Sequence, residues 1–236
     1  MTTKISFALL TTALILTHGQ VGHSHAAEAP QRILILGDSM MQIPAHSLKL
    51  QAERRPGVVT ETFTRIGSGI TRLDVFDWLS HIATLVETFQ PDASIVFLGT
   101  NDRQPMKIEN DVVQPTDPRW EVEYARRIGQ AMDLLMGAAG RPVYWLQLPD
   151  MKRDETQQDA DLINSIFEAE IASRPNVRFF PTRPILSRSP GRYSPYVIGE
   201  RGLPLNVRAE DGIHLNRAGA DLLAAQLVNA LWSSAE

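Results

Sequence analysis

Apolar residues along this chain come in short runs separated by amphipathic stretches, and the alternation is regular from Ile33 onward. Ile33-Leu34-Ile35-Leu36 contains no polar position, as expected for a strand covered on both faces of a sheet. Val58 to Phe63 alternates instead, which suits a sheet edge. Ala93 to Leu98, Val143 to Leu148 and Val177 to Phe180 are three further strand candidates. The intervening segments carry apolar residues at helical spacing over 41–54, 74–89, from Trp120 to the Gly140-Arg141-Pro142 break, 156–173 and 216–232. In the second of these, Val75, Phe76, Leu79, Ile82, Ala83 and Val86 recur on one face. Five β-α units in series predict a three-layer α/β/α sandwich. Open sheets of that kind bind ligands beyond the carboxyl ends of their strands. Ser39, Gly69 and Asn101 follow the first three strands at that end.

Two stretches carry no clear period. One is a polar loop containing Pro105, Pro115 and Pro118; the other runs from Pro181 to Glu210. A structureless segment as long as the second is usually functional in a compact domain. It carries Arg183, Arg188, Arg192, Arg201 and Arg208 with Tyr193 and Tyr196. Aromatic rings stack on sugar faces and guanidinium groups bind carboxylates, so the segment reads equally as a glycan-binding rim or as a solvated loop anchored by ion pairs. Arg103, Arg208 and Tyr193 are the candidate substrate contacts.

The amino terminus follows a different pattern. Lys4 precedes an apolar run from Ile5 to Thr17, and a polar stretch of small residues ends at Ser24-His25-Ala26-Ala27. That order is the signature of a secretory signal peptide over residues 1–26, cleaved before a single domain at 27–236. The run is shorter than the roughly 20 residues that a spanning helix needs. A periplasmic or secreted protein is expected. With no cysteine in the chain, disulfides, thiolate metal sites, a cysteine nucleophile and a lipid-anchored start are all excluded. The hydrophobic fraction of 43% suffices for a globular core, and a net charge of −4 without a basic block argues against nucleic acid as a partner.

Candidate chemistry centres on Ser39. A serine becomes a nucleophile only when a base takes its proton. Of the six histidines, three precede the expected cleavage point, leaving His46, His81 and His214. His46 and His81 sit within helical patterns. His214 lies at the end of the long loop, three residues after Asp211, a spacing at which the carboxylate can hold one ring nitrogen while the other faces the serine. The oxyanion formed on attack needs donors already aimed at it. The Ser39 amide, the unencumbered backbone of Gly69 and the Asn101 side chain are the candidates, with Gly67 as a rival to Gly69.

Gly37-Asp38-Ser39, Ser68-Gly69, Gly99-Thr100-Asn101-Asp102 and Asp211-Gly212-Ile213-His214 resemble, in order and in position relative to the strands, the four blocks of the SGNH (GDSL) hydrolases. The resemblance spans essentially the whole mature chain. It implies a flavodoxin-like five-stranded parallel sheet, Ser39 as nucleophile with Asp211 and His214, and an oxyanion hole of Ser39, Gly69 and Asn101. Asn101-Asp102-Arg103-Gln104, Val143-Tyr144-Trp145 and Val207-Arg208 are similar to a bacterial exported subgroup of those hydrolases. In length and layout the chain is also similar to an exported SGNH protein encoded beside some bacterial cellulose synthases. The substrate so implied is an acylated carbohydrate or another ester, with no cofactor and no metal, and the partner an exopolysaccharide synthesis or acylation complex. Two rival readings are a noncatalytic glycan-binding protein and a flavodoxin-like nucleotide binder. The latter lacks any glycine-rich phosphate loop after the first strand.

Overall fold

The computed structural model describes residues 31–199 and 201–233; the leader read over residues 1–26 lies outside them. Five strands, β1 (Arg32–Gly37), β2 (Val59–Thr64), β3 (Ala93–Phe97), β6 (Val143–Leu146) and β7 (Val177–Phe180), form one parallel sheet in the order β2-β1-β3-β6-β7. Two further pairs, β4 (Met106–Ile108) with β5 (Asp111–Val113) and β8 (Tyr196–Ile198) with β9 (Pro204–Asn206), are antiparallel hairpins outside it. The helices are α1 (Ser39–Ala52), α2 (Trp78–Phe89), α3 (Pro118–Met136), α4 (Asp154–Ile171), the single turn α5 (Arg183–Leu186) and α6 (Arg217–Ser233). Helices cover both sides of the sheet, with α1 against α6 and α3 beside α2 and α4. This is the three-layer α/β/α architecture of the SGNH hydrolases.

Strand identity follows from burial. Ile33 to Leu36 of β1 and all of β3 are inaccessible, because each strand has a neighbour on both edges and helices on both faces. β2 has only one neighbour and is largely exposed. The order reverses between β1 and β3, and at such a switch point the loops after the two strands part and leave a crevice. Residues 38–39 and 98–102 lie there.

Several elements differ from the periodic reading. α2 begins at Trp78 and not near residue 74, because the Asp77 side chain caps it by accepting the Ser80 N–H at 3.1 Å. Val75 therefore falls outside the helix and is 59% exposed. β6 stops at Leu146. Beyond it the buried Asn164 amide takes over the pairing, with Leu148 N–H bound to its Oδ1 at 2.7 Å and Leu148 C=O to its Nδ2 at 2.9 Å. The two aperiodic stretches hold the hairpins β4–β5 and β8–β9, whose three-residue strands are too short to show an alternation. Among the described residues no helix is long and apolar enough to cross a membrane.

Candidate active site

Gly37 ends β1 where α1 and β3 approach so closely that a Cβ would collide with Met41 Cβ and Phe97 O; only glycine fits. Asp38 then caps α1, its Oδ1 accepting the Met40 N–H at 2.8 Å. Ser39 thus becomes the first residue of a 14-residue helix. Its N–H is one of those a helix leaves without an internal partner, at the positive end of the helix dipole.

His214 reaches this point from the other end of the chain. Its Nε2 lies 2.8 Å from Ser39 Oγ and its Nδ1 2.7 Å from Asp211 Oδ2. The second Asp211 oxygen accepts the Ile213 and His214 N–H groups at 2.8 and 2.9 Å, so the carboxylate is fixed before it meets the ring. Partial burial works to raise the Asp211 carboxyl, but the hydrogen bonds from His214 and the two amides outweigh it and hold the group at about 2. It is therefore ionised at neutral pH, which favours the tautomer with the proton on Nδ1 and leaves Nε2 free to accept from Ser39.

The blocks that carry Gly69 and Asn101 join the same crevice. Asn101 Nδ2 donates to Ser68 O at 3.0 Å and faces Asp38 Oδ2 at 3.4 Å, linking the loops after β1, β2 and β3. Gly69 is extended, and a side chain there would strike Asp102 Oδ1. Gly67 has φ of +68° with open space around its Cβ position, so it makes the turn while Gly69 makes the close approach. Of the other two histidines among the described residues, His81 packs against Phe63 with ring centroids 3.9 Å apart and His46 is an exposed residue of α1.

Beneath the crevice lie two buried carboxyl groups. Asp38 is inaccessible and accepts from Met40 N–H, Gly99 N–H and Thr100 Oγ1. Burial pushes its carboxyl up to about 7, and the charge of Asp102 adds to the rise against those hydrogen bonds. Asp102 accepts from Thr71 N–H at 3.2 Å and Tyr124 O–H at 2.9 Å, and burial raises it too.

The three candidate substrate contacts have different fates. Arg208 is 2% exposed, and its guanidinium donates to the carbonyls of Asp150 at 2.7 Å, Gly212 at 3.3 Å and Ile213 at 2.9 Å. With both terminal nitrogens engaged in this way, it braces the 211–214 turn. Tyr193 lies against that guanidinium, its ring centroid 5.0 Å from Arg208 Cζ. Arg103 is partly open, 3.5 Å from Asp159 and 5.5 Å from the Trp120 ring centroid. Within the 181–210 segment, Arg183 is tied to the buried Asp150 at 3.1 Å and to Asp161, whereas Arg188, Arg192 and Arg201 face solvent.

Two residues that shape the site do so in ways the sequence does not show. Arg208 reads as a rim residue because its hydrogen-bond acceptors are backbone carbonyls, invisible to any side-chain pattern. Trp78, wholly buried, donates from Nε1 to Ser68 Oγ at 3.0 Å and so holds the turn that presents Gly69.

Solved structures support the fold. A variant of Axe2, an acetyl xylan esterase from Geobacillus stearothermophilus, superposes with a TM-score of 0.54 at 15% identity, over 85% of this chain and 94% of its own. The C-terminal catalytic domain of peptidoglycan O-acetyltransferase A from Streptococcus pneumoniae gives 0.53 at 14% identity, over 86% and 94%. The lipase Lip_vut3 from a goat rumen metagenome gives 0.55 at 14%, over 85% and 96%. No curated protein matches the chain in sequence. Residues 32–230 match the model of the family described as "Protein of unknown function (DUF459)".

Proposed function

This chain belongs to the family described as "Protein of unknown function (DUF459)", one linked to the SGNH hydrolases, and on that premise we propose that it is an exported serine esterase acting on O-acyl, chiefly O-acetyl, esters of an extracytoplasmic glycan. The observation that carries the reading is the unbroken chain of contacts from Ser39 Oγ through His214 to Asp211, at 2.8 and 2.7 Å. A noncatalytic glycan-binding protein has no use for a serine and an imidazole held at hydrogen-bond distance beside an ionised carboxylate.

In the first half-reaction Ser39 Oγ attacks the ester carbonyl while His214 Nε2 removes its proton. The carbonyl electron pair moves onto oxygen, where the Ser39 and Gly69 amides and the Asn101 side chain donate to it. Collapse of the intermediate breaks the bond to the leaving alcohol, which takes the proton from His214, and the acyl group remains on Ser39. Water then attacks the acyl-enzyme with His214 again as base, releasing the acid and restoring Ser39. If a sugar hydroxyl replaces water, the same intermediate makes the protein an O-acyltransferase that modifies a polysaccharide such as cellulose.

A carbohydrate ester is supported by the named activities of two structural neighbours, one on acetylated xylan and one on peptidoglycan O-acetylation. A periplasmic or secreted location follows from the leader over residues 1–26 and brings such polymers within reach. The test is hydrolysis of a short-chain aryl acetate by the mature chain, repeated with Ser39→Ala and His214→Ala. Each variant is expected to lose activity by on the order of 10³-fold or more. Undiminished turnover by Ser39→Ala overturns the covalent mechanism.

A further inference from the structure

One hollow is lined by both members of the Ser39–His214 pair, and it opens to solvent. Its other walls are mostly hydrocarbon. Ile43 and Pro44 come from α1, where Ile43 stands one turn beyond Ser39 on the same face of the helix. Ile66 comes from the turn after β2, and Leu215 follows His214 in the chain. Ile43 is 38% exposed and Ile66 62%, so neither is consumed in packing the core. Among the described residues, Gln42 is the one polar side chain in the lining besides the reacting pair, and no arginine, lysine or carboxylate lines it.

The place of this hollow beside the reacting pair decides which part of an ester enters it. In the mechanism proposed above, the carbonyl oxygen turns to the Ser39 amide, Gly69 and Asn101, and neither Gly69 nor Asn101 borders the hollow. The acyl substituent and the leaving oxygen are the two directions that remain. His214 Nε2, 2.8 Å from Ser39 Oγ, hands its proton to the leaving oxygen, which must therefore come within hydrogen-bond reach of the imidazole. That imidazole is itself a wall of the hollow, and Leu215 extends the wall. The group carried by the leaving oxygen thus enters the hollow.

We propose that Ile43 and Ile66 form a leaving-group subsite that holds an uncharged alcohol by its hydrocarbon surface, which in a glycan is the C–H face of a neutral sugar. The assignment rests on the esterase reading above. Contact with the two isoleucines withdraws apolar surface of both partners from water, which favours binding in proportion to the area covered. A carboxylate on the alcohol, as in a uronate, would be brought against isoleucine with no cation to pair with, and an unpaired charge taken out of water is costly. The ionised Asp211, bonded to His214 at 2.7 Å, adds repulsion.

The test is kcat/KM for four small esters: ethyl acetate, butyl acetate, its isomer ethyl butyrate, and 4-acetoxybutanoate. Values are compared as ratios so that the fraction of folded protein cancels, and labelling of Ser39 by a sulfonyl fluoride is measured alongside. The wild type is expected to prefer butyl over ethyl acetate by about fivefold, since a fully buried methylene contributes about fourfold and this hollow is open. It should also prefer butyl acetate to ethyl butyrate, and to 4-acetoxybutanoate by about tenfold. Ile43→Ala and Ile66→Ala should each lower the butyl-to-ethyl ratio by about twofold. Ile66→Lys should raise 4-acetoxybutanoate by about tenfold relative to butyl acetate, a gain that damage to the site cannot imitate. Equal turnover of butyl and ethyl acetate, or faster turnover of ethyl butyrate than of butyl acetate, overturns the subsite and leaves the esterase standing. So do 4-acetoxybutanoate turned over as fast as butyl acetate, ratios unmoved in both alanine variants, and labelling of Ser39 with no hydrolysis of butyl acetate. Absence of both hydrolysis and labelling overturns the esterase reading and the subsite with it.

Discussion

Single residues at the site carry graded shares of the chemistry. Asp211 orients and stabilises His214 but does not itself react, so Asp211→Asn should reduce kcat by about ten- to a hundredfold less than Ser39→Ala or His214→Ala does. In the proposed mechanism Asn101→Ala removes one oxyanion donor, whose amide rests on Ser68 O at 3.0 Å in the free site, and should lower kcat by about 10²- to 10³-fold with little change in KM. Arg208 is the residue whose role differs most between sequence and structure. Arg208→Lys keeps a charge but cannot reach the three carbonyls now bound at 2.7 to 3.3 Å, so it should lower thermal stability and kcat together while leaving the acyl-chain preference unmoved. A variant with altered chain preference and unchanged stability would show that Arg208 meets substrate after all. Ser39, Asp211 and His214 stand out in the sequence because four short blocks, each weak alone, occur together and in order, and the structure brings the three side chains within hydrogen-bond distance. Arg208 does not, since an arginine in a loop reads the same whether it points to solvent or into a nest of backbone carbonyls.

At the scale of elements, the five strands and the main helices are legible wherever a run is long enough to display its period. Ile33 to Leu36 is the clearest case: continuous apolar sequence and complete burial are the same fact seen twice. The exceptions are ends and short pieces. Periodicity starts α2 too early because Phe76 continues the apolar spacing across the Asp77 cap, and capping is decided by one hydrogen bond and not by a repeat. The hairpins β4–β5 and β8–β9 leave no trace in the periodicity because three residues cannot establish a pattern. Trp78 ties an element to the site: at the first turn of α2 it fixes Ser68, whose carbonyl in turn holds Asn101 Nδ2 at 3.0 Å. Trp78→Phe keeps most of the buried area and loses that hydrogen bond. It should cost about 1 kcal/mol of stability in a denaturant titration and lower kcat beyond what the stability loss explains. A stability loss with kcat unchanged would make Trp78 core packing only.

At the scale of the whole molecule, the buried Asp38 and Asp102 couple folding to pH. A carboxyl whose pKa is raised on folding binds its proton more tightly in the folded state, so its stabilising contribution is complete below the unfolded value near 3.8 and is lost as pH rises through about 7. Glu123 and Asp211, both held at about 2, act in the opposite sense, their contributions being present above the ordinary carboxylate range and lost as pH falls toward 2. The windows meet only near pH 4. Asp38→Asn, neutral at every pH, should therefore flatten the decline in stability between about pH 4 and 7 and leave the acid side unchanged. An equal slope in wild type and variant would mean that Asp38 stays ionised on its four donors throughout. The same crevice that buries these groups is formed by the reversal of strand order between β1 and β3, which is why a fold-level property and a site-level one appear at the same place.

Intact-protein and peptide mass spectrometry after rapid quenching with an O-acetylated donor reaches the covalent role of Ser39 most directly. The mass of one acetyl group is expected on the peptide containing Ser39, accumulating in the wild type and absent from Ser39→Ala and His214→Ala. Turnover of the donor with Ser39 unmodified, at a rate those substitutions do not change, would contradict that role.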